Sequence, residues 1–430
     1  SYFGIYVSTV ILFIILILFI YYINIKINKN ELMAFLVSVL SIAALFNFAT
    51  ARAQLPSAIL LLLEVYFIEK LMVNGNKKYI FYLCLISLLI ANIHATIWLV
   101  YFIFYLPYIG EYIIYKIKYS KFINKVRKKG IKFGLNSSSN KLIIENINNI
   151  KKILVSFFLG FLMGIFSPSR ICYTYVFKIM MGDSQDYISE HAPLVLLHQP
   201  IFLLLIGIVI LILSFTKVKV KLRELFMIFG LAFMCMTAVR HIALFVIIGM
   251  IFISRICCRF FELEKDETFN ILYNKIVKNN LLYIFLFILV ACFSANQFYK
   301  NFKDDYVNVE EYPVKAVSYI KNELDYENIR LYNKYDVGSY LMLNDIPVFI
   351  DSRCDLYLSE FNGLKYSIFD DEMNIEYNYK KKFKFYDVTH ALVSNDDIFY
   401  RILSVDNNYN IIYNDKYFTL FERVGNYEKD

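Results

Sequence analysis

Apolar residues fill the first 297 positions in long runs separated by short polar clusters. Ten runs stand out, near 3–25, 32–49, 55–73, 79–92, 95–115, 153–167, 200–216, 225–239, 242–256 and 280–297. Runs of this length and apolarity predict membrane-spanning helices. Segment 1–297 therefore reads as an α-helical polytopic membrane bundle of about ten spans. Beyond it the pattern changes. "YPVKAVSYIKNEL" (312–324) has helical spacing, with Pro313 at a first-turn position. "IRLYN" (329–333) reads as a strand, "DVGSYLML" (336–343) as a helix and "PVFID" (347–351) as a buried strand. "THALVS" (389–394) reads as a strand, 396–404 as a helix, and 409–423 as a hairpin turning near Asn414 and Asp415. Strands alternating with helices predict a small α/β domain over 298–430.

Charge orients the bundle. Residues 116–152 carry eleven Lys and Arg against one acid, Glu145. Residues 217–223 carry Lys217, Lys219, Lys221 and Arg223, and 255–278 carry Arg255, Arg259, Lys265, Lys275 and Lys278. Basic loops face the cytoplasm. The shorter loops with Lys26, Lys29, Lys77 and Lys78 agree. The apolar run from 225 to 254 lies between two inside loops, so it must cross an even number of times. At about 1.5 Å per residue its halves make short passes of roughly 22 Å each. Arg240 and His241 then mark the outer tip of a tight hairpin. The run 79–115 repeats this logic, with "ANIHAT" as its polar break and His94 outside. Short spans (79–92, 153–167, 225–239) cannot cross a hydrocarbon core about 30 Å thick without recessed ends. All three end on the outer side, which predicts a hydrophilic cavity opening outward. The same alternation starts the chain outside and predicts a further span and outer loop upstream of Ser1.

This topology collects Arg52, Gln54, Asn92, His94, Arg170, Lys178, Asp183, Asp186, Glu190, His191, His198, Arg240 and His241 on the outer face. Arg offers a planar fork of donors for phosphate oxygens, and His can add one more. Arg52, His94, Arg170, Arg240 and His241 are therefore the candidates for binding a lipid-linked phosphate or pyrophosphate. The plainer account is that single arginines at helix ends reach toward lipid phosphates. Asp183, Asp186, Glu190 and His191 are the candidates for acid/base work, although Glu190 and His191 equally suit a helix cap near Pro193. Glu64 lies mid-span in "LLLLEVYFIEK" and is expected to face the interior and pair with a polar group. Glu69 and Lys70 read as interfacial.

In the C-terminal domain, polar residues follow the strands: Asn333, Tyr335 and Asp336 after one, Asp351, Arg353 and Asp355 after the next. Ligands of open α/β sheets bind beyond the carboxyl ends of strands. Tyr335, Asp336, Asp351, Arg353 and Asp355 are thus candidates for an acceptor or sugar site. The structural alternative has Asp336 capping its helix and Asp351 and Arg353 forming an internal ion pair.

Composition narrows the classes further. The chain is 58% hydrophobic over 430 residues. Residues 298–430 hold 16 Lys and Arg against 24 Asp and Glu, while the remainder holds 29 basic and 13 acidic residues. This asymmetry fits two compartments. The basic residues sit in loops between spans, which argues against nucleic-acid binding. The seven cysteines have no metal-type spacing, so no metal site is expected from them, and most lie in apolar runs. No Gly-rich phosphate loop or serine-nucleophile motif is present.

"ATARAQLPS", "LLIANIHAT", "ISEHAPL", "TAVRH" and above all "YNKYDVGSYLMLNDIPVFIDSRCDLY" resemble bacterial membrane proteins grouped with the GT-C glycosyltransferases. The resemblance implies a multi-span bundle followed by an external α/β domain. It implies transfer of a sugar from a polyprenyl-phosphate donor to an acceptor at the outer face of the cytoplasmic membrane. The partners would be membrane lipid and a lipid-linked sugar donor, and a divalent cation is the one cofactor this chemistry leaves room for. Such enzymes carry a catalytic Asp or Glu in their first outer loop, which has no counterpart in this sequence. The other functional classes open to the sequence are a transporter or flippase of an anionic lipid or solute, and a non-catalytic membrane scaffold. A transporter would be expected to show internal repeats, and none is convincing.

Overall fold

The computed structural model describes residues 2–118, 142–168, 172–174, 192–263, 271, 275, 278–301 and 307–425. The chain divides into two compact units, one ending at Lys300 and the other starting at Asn301.

The first unit is helical. It contains α1 (Tyr2–Asn28), α2 (Glu31–Leu45), α3 (Gln54–Asn74), α4 (Lys78–Ile93), α5 (Trp98–Ile103), α6 (Leu106–Lys118), α7 (Ile150–Met163), α8 (Pro200–Phe215), α9 (Leu222–Thr237), α10 (Met250–Leu263) and α11 (Asn280–Asn301). Local chemistry sets their ends. The Asn30 side chain accepts the Met33 amide at the start of α2. Gly75, at φ +62°, closes α3 in the left-handed conformation that glycine adopts without penalty. Pro200 occupies the first turn of α8, where its missing N–H costs nothing. Among the described residues the unit's only strands are Leu142–Ile143 and Val220–Lys221, paired in parallel.

Helices stand at each expected position, but ten crossings do not follow from helix length. Among the described residues, three segments are long and apolar enough to cross a membrane: Phe3–Asn28, Ala95–Lys118 and Val239–Leu263. Glu31–Leu45, Lys78–Ile93, Pro200–Phe215 and Asn280–Asn296 are apolar but shorter. The expected pass at 242–256 is in fact part of a continuous 25-residue helical segment. It opens as a 3₁₀ turn (Val239–His241), passes through a π-helical stretch (Phe245–Gly249) and ends as α10. Of its most apolar stretch 78% is buried, against 11% for Phe3–Asn28. Val239–Leu263 is therefore an internal helix of the bundle, and α1 a peripheral one.

One end of the bundle is closed by charge. Glu224 is fully buried and accepts both Arg259 terminal nitrogens, at 2.6 and 2.7 Å, and Arg255 Nη1 at 3.2 Å. Arg255 Nη2 donates to Glu69 at 2.7 Å, and Glu69 also accepts the Tyr108 hydroxyl at 2.7 Å. Arg223 binds Glu111 at 2.6 Å and Glu145 at 3.0 Å. Asn28 accepts from Arg255 Nε at 3.3 Å, so α1 joins the same layer. Two expectations change. Glu69 is a buried member of an ion-pair network, not an interfacial residue. Arg223, Arg255 and Arg259 are committed to acids on other elements, so they are not free loop charges.

The second unit holds a four-stranded sheet of β1 (Leu331–Asn333), β2 (His390–Ser394), β3 (Tyr409–Asn414) and β4 (Phe418–Arg423), in the order β1-β2-β4-β3. β1 and β2 are parallel, and β4 is antiparallel to both β2 and β3. Alternation along the strands sends Leu331, Leu392 and Leu420 to one face, where α12 (Val314–Glu323) and α13 (Tyr335–Leu343) pack. Tyr332, Ala391, Val393 and Phe421 face the other side, toward Phe383 of α14 (Ile375–Phe385) and Phe399 and Leu403 of α15 (Ile398–Ser404). Both faces are covered, which explains why β1 and β2 read as nearly continuous apolar runs.

"PVFID" is not a strand. The Asn333 side chain takes the place of a ladder partner: its Oδ1 accepts the Phe349 amide and its Nδ2 donates to the Ile350 carbonyl, both at 2.8 Å. Helix α13 closes on the same segment at Gly338, where a Cβ would stand 1.8 Å from the Ile350 oxygen.

Candidate functional site

The two polar breaks of the bundle meet in one cleft. Helix α4 ends at Ile93 because His94 turns out of helical geometry, at φ −152° and ψ 74°. Helix α9 ends at Thr237, where Ala238 is extended at φ −155° and ψ 131°. The Val239 amide then bonds to the Ala192 carbonyl at 3.0 Å, which fixes the second tip. His94, Arg240 and His241 line a cleft together with Gln54 and Ala58 in the first turns of α3. Thr96 and Val100 complete the wall nearest His94. Three of the five candidates for the donor phosphate are thus brought together. Arg52 is exposed and does not line the cleft. Arg170, Lys178, Asp183, Asp186, Glu190 and His191 lie outside the described residues. The Asn92 amide turns back onto the Leu88 carbonyl at 2.8 Å, and His198 sits in a separate 3₁₀ turn.

Hydrogen bonds assign the two imidazoles. His241 Nδ1 lies 2.8 Å from the Met234 carbonyl oxygen, which can only accept, so Nδ1 carries hydrogen. His94 Nδ1 lies 3.2 Å from Ser57 Oγ, whose own hydrogen goes to the Ala53 carbonyl at 2.7 Å. His94 Nδ1 is therefore also the donor. In both rings Nε2 is the nitrogen left for a ligand: a lone pair when neutral, a donor when protonated. Burial lowers the His94 pKa, and the Arg240 charge lowers it further. An anion between His94 and Arg240 would offset both effects and favour the protonated, donating form.

The cleft's described lining is a guanidinium, two imidazoles, an amide, a hydroxyl and apolar groups, with no carboxylate. This donor set fits an anion better than a hard divalent cation, which prefers several carboxylate or carbonyl oxygens. No group of three His, Cys, Asp or Glu that could hold a metal occurs among the described residues.

The second unit behaves differently. The loops after β1 and at 351–355 do come together: Tyr335 Oη donates to the Ser352 carbonyl at 3.0 Å, and Ser339 and Ser352 hydroxyls meet at 2.6 Å. However, Asp351 is already saturated. It accepts the Arg353 amide at 2.8 Å, Arg353 Nε at 2.9 Å and Nη2 at 2.7 Å, and the Tyr357 hydroxyl at 2.6 Å. The Arg353 hydrogen bonds hold the Asp351 pKa down at about 2. Asp336 is exposed in the first turn of α13, where its charge suits the helix dipole. It is not the cap, a position held by Lys334. The side chain of Asp355 lies outside the described residues.

A cluster not anticipated from the sequence sits beside β1. Lys334 Nζ pairs with Glu376 at 2.7 Å and with Asp397 at 3.4 Å. Glu372 is buried next to them, and its Oε2 has no hydrogen-bond partner. Burial pushes the Glu372 pKa up to about 7, against the pull of Lys334. The folded state thus keeps a proton that the unfolded chain releases. Stability from this group is full below about pH 4.5 and is lost as pH rises through about 7. Replacing Glu372 with Gln should flatten that part of the stability profile. Denaturation midpoints of the full chain at about pH 5 and about pH 7.5 give the check.

The chain matches no family model and no curated protein.

Proposed function

We propose that the cleft binds the phosphate of a lipid-linked sugar donor, and that the protein transfers that sugar as GT-C glycosyltransferases do. The convergence of Arg240, His241 and His94 in one cleft, with no acid among its described lining residues, carries this reading. The apolar surface exposed along α11 and on the other shorter helices favours their insertion in the membrane as well, giving about ten crossings. In this topology the cleft and residues 298–430 face outward from the cytoplasmic membrane. The base that deprotonates the acceptor hydroxyl would come from Asp183, Asp186 or Glu190, assisted by His191.

The test is donor-phosphate binding by the full chain in nanodiscs, read as quenching of a fluorescent polyprenyl-phosphate analogue. Arg240→Ala should weaken binding about tenfold or more, the loss expected for one charge-assisted hydrogen bond. His94→Ala should weaken it less and steepen its pH dependence less than the parent's. Equal affinity in parent and Arg240→Ala would overturn the phosphate assignment. Phosphate binding without sugar transfer from any polyprenyl-linked donor would overturn the transferase reading.

A further inference from the structure

The polar partner expected for Glu64 is missing from the described residues, where neither of its carboxyl oxygens has a hydrogen bond. A charge excess of the opposite sign, in the second unit, has a site built around it.

Residues 298–430 are acidic overall, with 24 Asp and Glu against 16 Lys and Arg. Within them "YNYKKKFKFY" (377–386) holds Lys380, Lys381, Lys382 and Lys384 and no acid. Like charges this close on one helix repel each other. Two of the four are neutralised locally. Lys380 lies 3.6 Å from Asp406, and Lys382 binds Asp371 of the short helix Ile368–Met373. Lys381 meets no acid among the described residues.

Lys381, Lys382 and Lys384 line a cleft on α14 with Asn378, Tyr366 and Phe385. Asp371 is the one acid in that described lining, and it also accepts the Tyr386 hydroxyl at 2.6 Å. Three cations thus stand against one anion. The Tyr366 side of the cleft is fixed by Asn362. Its Nδ2 donates to the Tyr366 carbonyl at 3.0 Å, and its Oδ1 accepts the Leu364 amide at 2.6 Å, across Gly363 at φ +74°. The Tyr366 and Phe385 rings meet edge to face with centroids 5.2 Å apart. Phe385 still leaves 60% of its surface exposed.

A cleft lined by one sign of charge concentrates ligands of the other. The acidic surroundings limit their size. An extended polyanion or an anionic bilayer would meet repulsion outside the cleft, whereas a compact anion would not. A phosphate monoester carries about two negative charges at neutral pH, which balances the excess. The exposed Phe385 ring has an electron-rich face suited to the C–H groups of a sugar ring. We infer that this cleft binds a phosphorylated sugar, with its phosphate at Lys381 and Lys384 and its ring against Phe385. Neither phosphate binding in the bundle nor sugar transfer is needed for it.

Saturation-transfer NMR of the full chain in nanodiscs of zwitterionic lipid tests it, with a hexose phosphate monoester as the probe. Transfer to the sugar-ring protons should appear. Excess inorganic phosphate should displace the probe, and the unphosphorylated hexose should not. Lys381→Glu should weaken binding about tenfold or more. Phe385→Ala should reduce transfer to the ring protons. Both positions are exposed, so both variants should keep the parent's unfolding midpoint. Arg240→Ala should retain transfer, which separates this site from the bundle cleft. No transfer in the parent, or equal affinity in Lys381→Glu, would overturn the assignment. Loss of transfer in Arg240→Ala would place the phosphate in the bundle instead. Loss on adding an anionic lipid to the nanodiscs would make a lipid headgroup the occupant and sink the sugar assignment.

Discussion

Replacing Glu224 with alanine should cost the bundle about 3 kcal/mol of stability, the largest single loss expected in the first unit. Glu224 is fully buried and is the common acceptor for two guanidinium groups and the Lys221 amide. Removing it does not subtract one attraction. It leaves Arg259 with the Lys219 carbonyl, at 3.1 Å, and Arg255 with Glu69 as its remaining acid and the Asn28 side chain at 3.3 Å. A buried cation without its partner is the expensive outcome, whereas a neutralised pair is often tolerated. Arg259 keeps 25% of its side chain exposed and can reach water, which holds the cost at the lower end of the range. Thermal unfolding in detergent by intrinsic fluorescence measures it. Arg259→Met introduced into the alanine variant should recover part of the loss. A midpoint unchanged by Glu224→Ala would mean that this layer is solvent-screened and energetically idle.

Gly338→Ala should be the most damaging small substitution in the second unit, at about 3 kcal/mol, the upper end for overpacking. The obstacle is backbone: the new carbon would sit 1.8 Å from the Ile350 oxygen and 2.8 Å from the Asp351 Cα. Neither can rotate away as a side chain would. The helix must lift off the segment that Asn333 holds through Phe349 and Ile350. Hydrogen exchange should report this locally, with the Phe349 amide losing protection before the amides paired between β2 and β4. Unaltered exchange at Phe349 would show that helix and segment separate without cost.

Much of the bundle was legible from hydropathy because apolar runs and their polar interruptions are local signals. The breaks at His94 and at Arg240–His241 belong to this class, and loop charge alone set them on a common face. What pairs across the bundle was not legible. Arg223 meets Glu111 across 112 residues of sequence, and Arg255 meets Glu69 across 186. No pattern along one helix reveals such a partner. Counting Arg223, Arg255 and Arg259 as loop cations followed from their position at run ends, whereas their charge is neutralised inside the fold. "PVFID" failed for a related reason. Its apolar run suits a strand, but a side-chain amide from Asn333 supplies the hydrogen bonds that a strand would have taken. The saturation of Asp351 was likewise invisible, because it needs Tyr357 as well as the adjacent Arg353.

The π-helical stretch at Phe245–Gly249 sits between the cleft residues Arg240 and His241 and the charged residues Arg255 and Arg259. A π-bulge amounts to one extra residue in an α-helix, and one residue turns a helix by about 100°. The bulge therefore works as a phase shifter, letting one helix present its two polar ends at independent angles. Lengthening or shortening this stretch by a single residue would rotate the cleft tip while leaving the ion pairs in register.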